Sequence, residues 1–351
     1  MNRGCLRRRG AVLVVGAIAA AGLTAAVTVP AFGASVAVGT DAGSDLGVNV
    51  ALSVNVASAA DQGASAAAQF PSASAPTSAA AVDGAVYGSA AVARAGSAAE
   101  DFLTSHQQVL NATAKAGAAT PLASQLHYWW GSFPVADSGA GGMATQSIDP
   151  NFRLTDSTDV LYAPTMKPAD GSCIEVVTVH TTAAPQVWAW DWCNSLAPGA
   201  EVTVDGMFLA KYTSTVNGRT VYTQKNVLTN KAGNTWTTYL YNYRTSSWDT
   251  LFSSSGTDHS GLTYGWDMFE FYSSTNPSTG NTYVCDDIAR AGLVVESSNL
   301  QIETGNNVWT LANANNSSWQ PSARPSPSAY KCPSMLFTIV SNSSDWTVSE
   351  G

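Results

Sequence analysis

The stretch that decides the fold is residues 173–193, CIEVVTVHTTAAPQVWAWDWC. Two runs rich in Val and Trp stand on either side of a Thr, Ala and Pro segment, which is typical of two β-strands joined by a turn. The second run alternates strictly, so Trp188, Trp190 and Trp192 share one face of their strand. In the first run, Glu175 shares an apolar face with Val177. A carboxyl group is therefore predicted within an apolar strand.

A second strand of the same kind is predicted at residues 264–272, YGWDMFEFY. Alternation places Trp266, Met268, Glu270 and Tyr272 on one face of this strand. The sequence therefore contains two strands in which a glutamate lies among apolar and aromatic side chains.

Similar short runs fill the chain beyond residue 126, between Gly, Asn, Ser and Pro residues. One of them, residues 235–243, places Tyr239 and Tyr241 on one face, and Asn217-Gly218 is a two-residue hairpin signal. All eleven Trp residues lie in this part of the chain. We expect an all-β fold, an antiparallel β-sandwich or jelly roll, over residues 119–351.

The first 118 residues have a different composition. Residues 1–34 combine four Arg with a long Ala- and Val-rich run and small residues near position 34, which predicts a signal peptide. A single-pass anchor is the competing interpretation, but no basic cluster follows the apolar run. Residues 35–118 are rich in Ala and Ser and predict a disordered, low-complexity spacer or a pro-region with a possible short helix. The chain is thus predicted to be secreted, extracellular and free of the membrane once the signal is cleaved.

Charge and cysteine content agree with export. Without residues 1–34, the chain retains 12 basic residues against 25 acidic ones, which argues against nucleic acid as a partner. Four cysteines remain, and an even number in an exported chain predicts two disulfides with three possible pairings. Pairing between sequence neighbours is our expectation, joining Cys173 to Cys193 and Cys285 to Cys332.

The common hydrolase motifs are missing from the sequence. It has no GxSxG elbow, no HExxH and no CxxC metal motif, so neither a metal nor another cofactor is predicted. The four His residues show no pattern that favours a catalytic triad, and structural roles are the simpler interpretation.

The two glutamates carry the chemical hypothesis. Burial disfavours the charged form of a carboxyl group, and two neighbouring carboxyls tend to share a proton. If Glu175 and Glu270 meet, one can act as an acid and the other as a base toward water. The opposing interpretation is that each glutamate lies at the solvated rim of its sheet.

The aromatic rows allow two interpretations as well. Such rows most often form the core of a sandwich, but in an open cleft they bind sugar rings or peptide side chains. On the second interpretation, the substrate-binding residues are predicted to be Trp188, Trp190, Tyr239, Tyr241, Trp266 and Tyr272. The substrate is then a polypeptide or a polysaccharide.

The order of these features resembles the glutamic peptidases of jelly-roll fold, and the neprosin family most closely. The resemblance rests on four short stretches: residues 173–179 around Glu175, the aromatic strand 187–193, the hairpin 234–252 with its Trp-Asp-Thr-Leu-Phe end, and residues 265–270 around Glu270. Val-Val follows Glu175 where the family has Gly-Trp, and Met-Phe precedes Glu270 where it has Gly-Gly.

The resemblance implies a secreted endopeptidase that is active in acid and made with an N-terminal pro-region. Glu175 and Glu270 would be its catalytic residues, with the two roles unassigned. A carbohydrate-binding or carbohydrate-cleaving sandwich and a non-catalytic secreted structural protein are the alternatives. The sequence leaves the oligomeric state open.

Overall fold

In the computed structural model, residues 70–104, 125–135, 139–320 and 326–351 are described. The predicted signal peptide, together with the rest of the predicted spacer, lies outside these ranges. Within them, no helix has the length and apolarity needed to cross a membrane. All described residues belong to one compact unit.

Most of this unit is β-structure, as the sequence predicts. In chain order the strands are β1 (Thr77–Ala81), β2 (Val86–Tyr87), β3 (Gln125–Pro134), β4 (Gly141–Ser147), β5 (Val160–Lys167), β6 (Ile174–His180), β7 (Gln186–Asp191), β8 (Ala197–Thr203), β9 (Thr213–Val216), β10 (Arg219–Asn230), β11 (Thr235–Asn242), β12 (Ser247–Ser255), β13 (Trp266–Ser274), β14 (Val294–Glu303), β15 (Trp309–Leu311), β16 (Ser317–Gln320), β17 (Met335–Ser341) and β18 (Asp345–Glu350).

These strands form two sheets. The ten-stranded sheet runs β1-β12-β11-β10-β4-β14-β18-β17, with β9 on β10 and β15 on β14. The eight-stranded sheet runs β16-β3-β13-β5-β6-β7-β8-β2. Strand pairs are antiparallel except β1 with β12. The predicted antiparallel sandwich is confirmed.

The sandwich core lies between the sheets and follows from period-two alternation. Phe269 and Phe271 of β13 point into it and meet Trp346 and Val348 of β18. Val176 of β6 also points into the core, where it packs in a cluster with residues of the ten-stranded sheet. The alternate residues of β6 and β13 therefore face outward, away from the core.

The outward face of the eight-stranded sheet is also buried. Every residue of β5 and β6 is buried. A separate apolar cluster on that face contains, among others, Trp188, Trp190, Trp192, Trp266 and Tyr272. It also contains residues from the N-terminal segment, which covers this face.

Residues 70–104 differ from the predicted disordered spacer. They contribute β1 and β2, helix α1 (Ser89–Ala95) and a second helix, α2, at residues 97–104. β1 joins the sheet edge through backbone bonds, such as Trp248 N–H to the Pro76 carbonyl at 2.8 Å and Val82 N–H to the Thr250 carbonyl at 2.9 Å. Because any sequence can make such bonds, Ala/Ser composition did not reveal this pairing.

Two further helices, both short, were not predicted from the sequence. α3 (Gly206–Tyr212) begins after Asp205, whose side chain accepts from the backbone N–H groups of Met207 and Phe208. α4 (Tyr283–Ala291) begins after Thr282, which caps it in the same way, and ends at Gly292 with a left-handed φ of 59°. Both helices have recognisable capping residues but too few turns for a clear periodic pattern.

The cysteine pairing expected from the sequence is confirmed. Cys173 is bonded to Cys193, and Cys285 to Cys332. The first disulfide ties the start of β6 to the end of β7, and the second ties α4 to the segment before β17. The hairpin predicted at Asn217-Gly218 joins β9 to β10, with φ of 52° and 76° at these two residues.

Candidate active site

Glu175 and Glu270 lie on the same outward face of the eight-stranded sheet. Strand β5 separates β6 from β13 and pairs with both. On β5, the three residue steps from Tyr162 to Thr165 match only two steps on β6, from Val179 to Val177. This bulge turns both Tyr162 and Thr165 toward the outward face, where strict alternation would allow only one of them.

Glu175 is enclosed by fixed donors. Its Oε1 accepts from the Thr165 hydroxyl and from Trp266 Nε1 at 2.9 Å, and its Oε2 accepts from Trp192 Nε1 at 2.9 Å. The residue is 1% exposed. Burial raises the pKa of Glu175 to about 7, and the charge of Glu270 acts in the same direction; the three hydrogen bonds oppose both.

Glu270 is held through one oxygen. Its Oε1 is 2.6 Å from His127 Nε2 and 2.9 Å from the Tyr272 hydroxyl. Oε2 accepts no hydrogen bond from the described part of the chain. The His127 ring is stacked on Tyr272, with centroids 4.1 Å apart and planes 3° apart. This stacking fixes the imidazole against the carboxyl group.

The two carboxyls are close enough to influence each other, since the charge of Glu270 raises the pKa of Glu175. Both charges also raise the pKa of the Tyr162 phenol, although burial is its main cause. The surroundings therefore favour a protonated Glu175 up to about pH 7, beside the Glu270 carboxyl. Such a pair can give a proton from one residue and take one with the other.

A buried lysine lies at the Glu175 end of this face. Lys167 Nζ is 5.0 Å from the centre of the Trp266 ring and 2.8 Å from Asp258 Oδ2. Burial lowers the pKa of Lys167, while Asp258 raises it. The charge of Glu175 also raises the pKa of Lys167, but the ion pair that Lys167 forms is with Asp258.

The structure brings four of the six predicted substrate-binding residues to this face. Trp188, Trp190, Trp266 and Tyr272 all belong to the apolar cluster around the pair. Tyr239 and Tyr241 do not, because β11 lies in the ten-stranded sheet.

There, Tyr241 packs on Trp248 with ring centroids 5.1 Å apart, and Tyr239 lies 5.3 Å from the Lys225 ammonium group. These two tyrosines therefore lie away from the carboxyl pair, and their part in substrate binding stays a prediction. Alternation gives the face of a strand but not the sheet to which the strand belongs.

His127 is the residue that sequence analysis missed. It precedes the aromatic run Tyr128–Trp130 on β3 and pairs with Tyr272 across the β3–β13 ladder. It also lines an outer groove of about 490 Å³ with Trp129, Phe133 and Tyr264. Nδ1 of His127 is buried and has no hydrogen-bond partner in the described ranges. His127 thus connects Glu270 to a groove at the sheet edge.

Within the described residues, no group of three or more His, Cys, Asp or Glu side chains is arranged to hold a metal ion.

No family model and no curated protein sequence matches the chain. Among solved structures, it is similar to a Scytalido-glutamic peptidase bound to a peptide-based transition-state analogue, with 10% identity, 65% of this chain and 100% of that chain covered, and a TM-score of 0.32. It is also similar to SCP-B, a member of the Eqolisin family of peptidases in complex with the tripeptide Ala-Ile-His, with 11% identity, the same coverage and a TM-score of 0.33. Similarity at this level assigns no activity to the chain.

Proposed function

We propose that this protein is a secreted endopeptidase of the glutamic type, in which Glu175 and Glu270 act on water and a peptide bond in acid. The observation that carries the proposal is the pair itself. Two buried carboxyls share one face, and the pKa of one is raised to about 7 by burial and by the charge of the other.

The surroundings suggest how the roles divide. Glu175, with its raised pKa, is the acid, because it keeps its proton throughout the acidic range. Glu270 is the base, and the His127 and Tyr272 contacts to Oε1 leave Oε2 for a water molecule. An ionised carboxyl only accepts hydrogen bonds, so His127 Nε2 carries a proton in this state.

The reaction then needs only these two groups and water. Glu270 takes a proton from water while the water oxygen forms a bond to the carbonyl carbon of the peptide. Glu175 stabilises the developing oxyanion by donating a hydrogen bond. Breaking the C–N bond then requires one proton on the leaving amine. One of the two carboxyls gives that proton, and the proton that Glu270 took from water replaces it, so the pair returns to its original state.

The carbohydrate alternative has less support from this geometry. A sugar platform needs free aromatic ring faces, whereas Trp266 already has the Lys167 ammonium group over its ring and donates its indole N–H to Glu175. We therefore retain a polypeptide as the substrate class.

The purified chain is tested by incubation with a denatured protein between pH 3 and 7, with new chain ends identified by mass spectrometry. We expect cleavage in acid that Glu175→Gln and Glu270→Gln each abolish, since Gln keeps the shape of Glu but transfers no proton. Equal cleavage by the parent and both variants would overturn the proposal.

A further inference from the structure

The Phe102 side chain lies in the middle of the aromatic face that carries the carboxyl pair. It is 2% exposed. Its ring centroid is 4.5 Å from that of Trp190, 4.7 Å from Tyr162, 5.9 Å from Trp192 and 6.4 Å from Tyr272. Four aromatic side chains of the sheet thus form one pocket, and a residue from helix α2 fills it.

This pocket adjoins both carboxyls. Trp192 donates to Glu175 and Tyr272 donates to Glu270, and both rings contact Phe102. A ligand that approaches the pair across these two rings therefore enters the space that Phe102 now occupies.

The α1–α2 segment is attached to the sheet by a few polar contacts and by small side chains. The Tyr162 hydroxyl donates to the Ala98 carbonyl at 2.6 Å. Arg94 of α1 forms an ion pair with Glu201 at 2.9 Å. Ala98 and Ala99 are buried against the cluster, and their size lets the helix backbone approach the tryptophan rings.

One of the rings that Phe102 contacts also carries an unsatisfied donor. Trp190 Nε1 is buried and has no hydrogen-bond acceptor among the described residues. A buried N–H without a partner costs on the order of 1–3 kcal/mol. Helix carbonyls are largely used within the helix, whereas an extended peptide presents free carbonyls. The pocket is therefore more complementary to an extended chain than to the helix that covers it.

We infer that residues 97–104 occupy the substrate cleft of the proposed peptidase, and that the Phe102 pocket is a subsite for a large aromatic side chain of the substrate. This inference rests on the proposed function for the identity of the substrate. The covered state excludes substrate, so the apparent affinity falls in proportion to the fraction of molecules in which α2 is lifted.

Binding is measured first, without catalysis, in the Glu270→Gln background of the full chain. The probe is the blocked peptide Ala-Glu-Asp-Phe-Leu, which copies residues 99–103, and its partner has Ala in place of Phe. Ala99→Arg introduces a charge under α2 without changing the pocket lining. Val92→Arg makes the same change in charge at a site that is 39% exposed.

We expect Ala99→Arg to bind the Phe peptide at least about tenfold more tightly than Val92→Arg or the parent, with little gain for the Ala peptide. Phe102→Ala provides a second route, because it empties the pocket without adding charge. N-acetylphenylalanine amide should then raise the unfolding temperature of Phe102→Ala and leave that of Val92→Arg unchanged. The inference would be overturned if Ala99→Arg and Val92→Arg bound the Phe peptide equally well and N-acetylphenylalanine amide did not raise the unfolding temperature of Phe102→Ala.

Cleavage assays with Glu270 restored separate this inference from the proposed function. A higher cleavage rate in Ala99→Arg supports both. Tight binding without any cleavage supports the pocket and contradicts the peptidase. Cleavage that depends on Glu175 and Glu270 but is unaffected by Ala99→Arg contradicts the inference and leaves the peptidase intact.

Discussion

Two regions of the eight-stranded sheet each hold a buried carboxyl whose pKa is raised to about 7, and they differ in what surrounds it. Glu175 lies on the outward face beside Glu270. Asp267 lies on the opposite face of β13, between the sheets, and accepts from Gln146, Ser297 and Trp346. Burial is the largest cause of the shift in both cases.

The difference shows that a raised pKa by itself does not mark a site. Asp267 lies between the two sheets, where its donors come from the ten-stranded sheet, so it faces the core and not a surface that a substrate can approach. Glu175 has a second carboxyl as a partner and an aromatic pocket beside it. Burial is the main cause of both pKa shifts, whereas the proposed catalysis needs a pair of carboxyls that a substrate can approach.

The largest expected effect is on the cleavage rate, which should depend on the carboxyls of the outward face and not on Asp267. Glu175→Gln and Glu270→Gln should each lower the cleavage rate by roughly a hundredfold or more, the range of general acid–base catalysis. Asp267→Asn should cleave at close to the parent rate, because Asp267 faces the core. Initial rates at pH 4 on a denatured protein measure this. If Asp267→Asn lost as much activity as the glutamate variants, the claim that only the outward pair takes part in cleavage would be contradicted.

The next effect concerns stability and should be common to both regions. Asp267 has a pKa of about 7 in the folded chain against 3.8 for the free carboxyl, so the folded state binds more protons between these values. The free energy of unfolding should therefore fall as the pH rises from about 4 to 7, by about 4 kcal/mol for Asp267.

Urea unfolding across this pH range measures the effect. Asp267→Asn and Glu175→Gln should each flatten the dependence, because the pKa of Glu175 is raised in the same direction from 4.5. Stability that is constant or rises over this range in the parent would contradict burial as the common cause.

His127 tests how Glu270 is positioned. Loss of the hydrogen bond between His127 Nε2 and Glu270 Oε1 should lower kcat by about tenfold, the cost of one charge-assisted bond. His127→Gln retains an N–H donor and should keep more activity than His127→Ala. The comparison of kcat with KM distinguishes this role from substrate binding, and equal kcat values in His127→Ala and the parent would argue against it.

The smallest effect uses a matched pair of tryptophans. Trp266→Phe removes one indole N–H from Glu175, and Trp346→Phe removes one from Asp267. Each bond favours the ionised form, so its loss should raise the pKa of the attached carboxyl further, by about one unit. Only Trp266→Phe should move the upper limb of the pH–rate profile to higher pH. A similar movement in Trp346→Phe would connect Asp267 to the reaction.

Several parts of this protein follow from its sequence alone. Period-two alternation gave the faces of β6 and β13, and with them the enclosure of Glu175 and Glu270 in apolar strands. The even cysteine count and the expected pairing of sequence neighbours gave both disulfides. The strand faces depend only on local chain geometry, in which successive side chains point to opposite sides of a strand.

Only the tertiary structure decided the rest. Strand order placed β5 between the two glutamate strands, and a bulge in β5 turned Thr165 toward Glu175. Strand pairing also brought His127 to Glu270 and left Tyr239 in the other sheet. Helix α2 covered the aromatic face through Ala98, Ala99, Phe102 and Leu103, in a segment that composition had assigned to a spacer or a pro-region with a possible short helix. The physical reason is that alternation fixes which side of a strand a residue occupies, whereas its neighbours depend on contacts between residues far apart in sequence.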